Sequence, residues 1–225
     1  MYSFSLQAIT PYLSALPEAM WTTFSLSALT AVISGVLGIF GALARRSKLW
    51  LVRFVMGFYV EAMRNIPLLI VLYLVFFTLP SLGLRLDGYY AALIALTLNS
   101  TAYMTEIFRS GLVALPRGQH EAAASQGMTS IQSLRLVVLP QILRTIYAPL
   151  GNQLIAVVVG SSLASVVSVS DLTAWMGTAG AASFRYFEIF LVVAASYFVL
   201  CQSINIARVI VGKILFGRQD RAMRQ

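Results

Sequence analysis

Charge is what this chain has least of. Asp, Glu, Lys and Arg make up 11% of its 225 residues, where a soluble domain carries about 25%. That scarcity excludes an ordinary water-soluble fold. Cysteine and histidine are nearly absent, with one of each, Cys201 and His120. A single cysteine builds no disulfide framework, and together with a single histidine it falls short of a four-ligand zinc site. Basic residues are missing before Arg45, and Glu18 is the only charge in that stretch. A secretory signal needs a basic start, so the first apolar run is expected to be retained as a span. No Gly-x-x-x-x-Gly-Lys-Ser/Thr phosphate loop occurs, since Gly212-Lys213 is followed by Ile214. No apolar run carries a Ser–His or paired-Asp arrangement for hydrolysis within a membrane. Catalysis by this chain is therefore not expected.

What the chain has in quantity is long apolar sequence: 59% hydrophobic residues and a mean hydropathy of +0.81. The runs are continuous rather than alternating, which favours helical spans of roughly 20 residues over barrel strands. An all-α integral membrane protein is expected, a single domain over 1–225 with five spans near 19–44, 54–80, 89–109, 142–168 and 186–212. Cys201 falls inside the last run and reads as a small core residue. The net charge of +8 does not point to nucleic acid, because the basic residues sit at the ends of apolar runs. Fourteen of the 16 Lys and Arg fall on one side, and only Arg85 and Arg185 on the other. Basic residues favour the cytoplasmic side, so the amino terminus is expected outside and the carboxyl terminus inside. The outer connections near 81–88 and 169–185 are short, and the first twenty residues are expected to lie across the outer surface. Asp171 and Glu188 are expected on that outer side, available to a soluble partner.

One long inner loop remains, at about 110–141. Pro116 and Gly118 stop the preceding helix. Glu121-Ala-Ala-Ala-Ser-Gln then consists mostly of helix formers, with an acid in the first turn. Gly127 is suited to cap that helix. Thr129 and Gln132 have capping-box spacing, and Met128, Ile131, Leu134 and Val138 recur at helical spacing, with Pro140 expected to close the second helix. Two short helices lying on the inner surface are the expectation.

Glu121-Ala122-Ala123, Gly127 and Val137-x-Leu139-Pro140, at these distances, resemble the EAA loop of permease subunits of bacterial binding-protein-dependent ABC importers, with Val137 in place of the commoner Ile. Glu61-Ala-Met-Arg64-Asn-Ile-Pro67-Leu-Leu, the stretch from Leu96 through Asn99, Tyr103 and Glu106 to Arg109, and Pro149-Leu-Gly151-Asn152-Gln153 are similar to segments of the group carrying polar amino acids (histidine, glutamine, glutamate, arginine, opines). The resemblance covers roughly 17–210. It implies a type I importer fold, two cytoplasmic ATPase subunits that use ATP and Mg, a second permease subunit, and a soluble substrate-binding protein outside. It implies no cofactor on this chain. It also carries the coupling role to Glu121, Ala122, Ala123 and Gly127, and alternating access as the mechanism.

Polar side chains within a span are candidates for the solute path. Asn99, Tyr103 and Glu106 share one helix face at i, i+4, i+7. Counted from Arg109 at the inner interface, Asn99 lies about 15 Å deep, near the midplane where transporter sites are found. Asn99 is the leading contact, with an interhelical hydrogen bond as its bland alternative. Glu106 has an ordinary i, i+3 partner in Arg109. Ser161 and Ser162, beside Gly160, suit close helix packing as well as a path. Relatives often carry Lys-Asp where this chain has Val159 and Gly160. That departure removes two charged partners: either a different permease in a heterodimer holds the ligand, which is favoured over a homodimer, or this subunit lines the path without a full site. The rival reading is an ion- or proton-coupled carrier or channel, which needs buried ionisable relays; only Glu106 lies deep enough to serve.

Overall fold

A computed structural model describes residues 4–116 and 118–222. Arg117 and Arg224, two of the fourteen basic residues assigned to one side, lie outside them. The described residues are helical, without strands.

The first span is a 3-10 segment, Gln7–Ala15, that runs without a break into α1, Leu16–Ala44. The residues from Gln7 onward therefore join α1 in one helical stretch of 38 residues. Pro17 sits in the first turn of α1, where its missing N–H would be unpaired in any case. The central element is α4, Gly88–Ala114, opened by Asp87, whose side chain accepts from the Tyr89 N–H. One face of α1 is small or hydroxylic: Thr23, Ser27, Thr30, Ser34, Gly38 and Gly41, all buried. That stripe packs along α4, its most extensive neighbour. A Cβ at Gly38 would lie 3.0 Å from the Met104 carbonyl carbon and 3.1 Å from the Thr105 nitrogen, so glycine is what lets the backbones meet. Within a bilayer, such close packing and interhelical hydrogen bonds take over from hydrophobic burial. Ser100 donates to Ser34 at 3.1 Å, and Ser27 to Ser161 at 3.2 Å.

The expected second span, 54–80, is instead two helices, α2 (Trp50–Asn65) and α3 (Leu68–Ser81), bent by 109°. Pro67 explains the break. A proline drives the residue before it out of the helical region, and Ile66 is extended at φ −92°, ψ 129°. The Pro67 carbonyl then accepts from Ile70 and Val71 to start α3. Beyond the bend, Val71 and Leu72 pack against Ala92, Ala95 and Leu96 of α4 and Ala164 and Val167.

The segment expected on the inner side comprises α5 (Gly118–Ser125), α6 (Ser130–Ser133) and a π-helical turn at Leu134–Val138, and leads into α7 (Leu139–Ser161). Pro140 does not close a helix. It sits in the first turn of α7, and helix continues from Ser130 to Val167. In the π turn the Leu139 N–H reaches the Leu134 carbonyl; the wider ring shifts the pairing so that the proline needs no partner. A 3-10 segment, Ser162–Val167, ends α7. The connection at 169–185, expected on the outer side, also holds a helix not anticipated, α8 (Leu172–Ser183), before the long α9 (Tyr186–Ala222).

Among the described residues, three helices are long and apolar enough to cross a membrane, and the bent pair makes a fourth. Of the five expected spans, the one over 89–109 corresponds to α4, which is not among these helices. Its 27 residues reach about 40 Å, but its Thr97, Ser100, Thr101 and Thr105 are buried against the protein, so its composition is less lipid-like.

Asp171 and Glu188 are not outward-facing. Both are fully buried. Asp171 caps α8 by accepting from the Ala174 N–H at 2.8 Å. Glu188 accepts from the Ser5 N–H at 3.0 Å and lies 3.6 Å from Arg185. Asp171 thus fixes the start of α8, and Glu188 ties the amino-terminal segment to α9; both are engaged within the protein.

Candidate solute cavity and coupling surface

Pro67 leaves two backbone carbonyls without partners. In a continuous helix the Met63 carbonyl would accept from residue 67, which as proline has no N–H, and the Arg64 carbonyl from residue 68, which lies past the bend. Side chains of α4 supply both. Asn99 donates through Nδ2 to the Met63 carbonyl at 2.8 Å, and the Tyr103 hydroxyl donates to the Arg64 carbonyl at 3.4 Å. One turn earlier, Tyr59 donates to the Leu98 carbonyl at 2.6 Å. The shared face expected of Asn99 and Tyr103 is thus turned onto the broken end of α2.

The same two residues line a cavity of about 280 Å³ between α3, α4 and α7, with Leu68, Leu96, Ser100, Gln153, Ala156, Val157 and Gly160. That is near the lower end for small-molecule pockets. Asn99 stands eleven residues from one end of α4 and fifteen from the other, so the cavity lies near mid-helix. Gly160 helps to open it: a Cβ there would touch Leu68 at 3.2 Å. Among the described residues, no Asp, Glu, Lys, Arg or His lines the cavity. Nearby, the Arg64 guanidinium lies over the Tyr103 ring, 5.6 Å from its centroid. Arg64 is therefore set beside the middle of α4, not at the end of a span.

The other candidates are placed elsewhere. Glu106 is engaged by Arg109, whose Nε donates to Oε2 at 2.9 Å and whose Nη2 donates to Oε1. Ser161 is fully buried, accepting from Ser27 and donating to the Val158 carbonyl at 2.8 Å. Ser162 donates to the Val159 carbonyl at 2.7 Å. Val159 is exposed, 54%, and absent from the cavity wall, whereas Gly160 is part of it. Gln153 lines the cavity although sequence reasoning quoted it only within a longer motif. A glutamine seven residues before Gly160 in an apolar run was the available signal, since two turns bring residues onto one face.

At the inner segment, the first short helix ends as expected. Gly127 adopts φ +74°, and the Met128 N–H closes a bond to the Ala123 carbonyl at 3.2 Å, the six-to-one pairing of a Schellman cap. The Thr129–Gln132 capping box is present in both directions, at 2.9 and 3.3 Å. Glu121, Ala122 and Gly127 are exposed, while Ala123 is buried. Of the apolar stripe, Val138 is buried with Ile142 and Ile146, but Ile131 is 77% exposed and Leu134 51%.

Comparison with known proteins adds a consistent set of likenesses. The family described as binding-protein-dependent transport system inner membrane component matches residues 34–216. The probable amino-acid ABC transporter permease protein YckA of Bacillus subtilis (strain 168) is 36% identical over 179 residues, covering 80% of this chain and 79% of the relative. The glutamine transport system permease protein GlnP of Escherichia coli (strain K12) is 32% identical, covering 88% and 91%. Among solved structures, an amino acid ABC transporter with histidines superposes with a TM-score of 0.85 at 31% identity, over 94% of this chain and 99% of that one. The MetNI methionine ABC transporter, at 21% identity and a TM-score of 0.73 over 92% and 98%, shares the fold.

Proposed function

Because the chain belongs to the family of binding-protein-dependent transport system inner membrane components, we propose that it is a permease subunit of an ATP-driven importer for amino acids or related small polar solutes. The observation that carries this reading is a cavity at mid-height of the central helix, lined by amide and hydroxyl side chains, in a chain similar along most of its length to amino-acid permeases. Asn99, Tyr103 and Gln153 belong to the solute path. Glu106 acts through its pair with Arg109 at one edge of it, and Ser161 and Ser162 serve packing of α7.

The exposed surface formed by Glu121, Ala122, Gly127, Ile131 and Leu134 is the docking element for a cytoplasmic ATPase dimer, which uses ATP and Mg. Ala123 supports it from within. The amino terminus lies outside and the carboxyl terminus inside, following the basic residues. The transport unit pairs this chain with a second permease, a heterodimer being favoured, and receives solute from a binding protein outside. Solute and nucleotide drive alternating access only in so far as they bind the two states with different affinity. The test is uptake by vesicles containing the complete complex. Uptake should require ATP and cease when the ATPase is omitted; uptake driven by a proton gradient alone would overturn the reading.

A further inference from the structure

The polar groups of the mid-helix cavity have fixed directions, and those directions state which end of a solute they receive. A backbone carbonyl only accepts. Asn99 must therefore turn its NH₂ to the Met63 carbonyl, and Tyr103 its O–H to the Arg64 carbonyl. Gln153 is fixed through a relay. Ser34 donates to the Ala31 carbonyl at 3.4 Å, so it accepts from Ser100 at 3.1 Å. Ser100 has then used its only proton and must accept from Gln153 Nε2, at 3.3 Å. All three side chains are anchored by donation. What they keep is mainly acceptor capacity: Asn99 Oδ1, Gln153 Oε1 and the lone pairs of Tyr103 Oη, against one remaining N–H on each amide.

We propose that this cavity receives the ammonium end of the solute, held by the neutral acceptors Asn99 Oδ1, Gln153 Oε1 and Tyr103 Oη, with the carboxylate directed toward Arg64. The inference rests on the transport reading above and deepens it. An ammonium group brings three donors and no acceptor, which matches the surplus. Arg64, over the Tyr103 ring at 5.6 Å from its centroid, favours an anion beside that ring. Glu106 is the nearest carboxylate on α4, and its pairing with Arg109 leaves the acceptor set as the cavity's recognition of the ammonium.

The experiment is equilibrium binding to the complex of this chain with its permease and ATPase partners in nanodiscs, without the binding protein. The probes are L-glutamine, L-arginine and L-histidine, each against its Nα-acetyl counterpart. Acetylation removes the ammonium and leaves the carboxylate and side chain. At least one free amino acid should bind about tenfold or more tightly than its acetylated form, as expected for hydrogen bonds to a charged group. Gln153→Met should abolish most of that preference, and Gln153→Glu, which keeps the acceptor oxygens, should retain it. Equal binding of free and acetylated forms, or no binding of any free amino acid, overturns the inference. ATP-dependent uptake by the complete system is scored in parallel. Uptake without an ammonium preference removes this inference alone, and the absence of uptake removes the transport reading itself.

Discussion

Asn99→Leu is the sharpest test of the bend. The substitution preserves size and removes the donor to the Met63 carbonyl, now met at 2.8 Å. An unsatisfied buried carbonyl costs about 1–3 kcal/mol, yet interhelical hydrogen bonds in membranes average only about 0.6 kcal/mol, because separated helices find other partners. Here that escape is closed. Pro67 removes the one backbone donor within helical reach of Met63 whether or not the helices are packed. The upper part of the range therefore applies, about 2 kcal/mol. For a chain of this size 1 kcal/mol moves the midpoint by about 2–4 °C, so the variant should melt some 4–8 °C lower in detergent or nanodiscs. Asn99→Asp should be worse at pH 8, since an ionised carboxylate sets acceptor against acceptor. If Asn99→Leu melts within about 1 °C of the parent, the side chain is not holding the bend, and the assignment of Asn99 as its cap is wrong.

Three further outcomes are expected. Gly38→Ala should destabilise, because its Cβ would come within 3.0 Å of the Met104 carbonyl carbon and force α1 off α4, whereas Gly35→Ala, one turn earlier and with nothing within 4 Å, should be neutral or stabilising by up to about 1 kcal/mol; equal melting of the two would remove the close-approach argument. Gly127→Val places a β-branched residue at φ +74°, costing about 1–2 kcal/mol locally, and should abolish uptake while membrane levels by immunoblot are unchanged; full uptake would remove the coupling surface. Burial raises the Asp171 carboxyl from 3.8 to about 6, the backbone N–H groups of Ala174 and Thr173 offsetting only part of it. A folded pKa above the unfolded one contributes stability that is complete below the unfolded value and lost as pH rises through the folded value. The protein should therefore melt higher at pH 5 than at pH 7.5, and Asp171→Asn, which keeps the capping oxygen, should flatten that step.

The legible parts of the fold were those with local causes. Long apolar runs gave α1, α7 and α9, and the Thr129–Gln132 spacing gave a capping box because both partners lie within one turn. The failures were tertiary. Pro67 was visible, but whether a proline kinks a span or folds it back depends on whether neighbouring side chains can satisfy the freed carbonyls. Pro140 looked like a terminator until the π turn before it supplied an alternative. Asp171 and Glu188 looked like surface carboxylates because loops usually carry them outward; here one caps a helix and the other captures the Ser5 N–H. The Asp171 cap is local and becomes visible only once α8 is known to begin at Leu172, whereas the Glu188 contact spans 183 residues and has no local signal.

The mid-helix cavity shows why the two readings offered for Asn99, substrate contact and interhelical hydrogen bond, are compatible. An amide has two faces with opposite chemistry. The nitrogen of Asn99 is held by the carbonyl that Pro67 exposes, and that bond turns the oxygen away from it. The structural contact thus sets the polarity of the proposed functional one. Tyr103 obeys the same rule through its hydroxyl, and Gln153 through two serines. A proline 32 residues upstream in α2–α3 therefore acts on the chemistry of a side chain in α4: it creates the acceptor that orients the donor. Sequence periodicity places Asn99 and Tyr103 on one face but carries no sign, because it does not say which end of each group is already engaged. The sign follows from counting carbonyls at the break, and that count needs only the position of Pro67 and the knowledge that α4 lies against it.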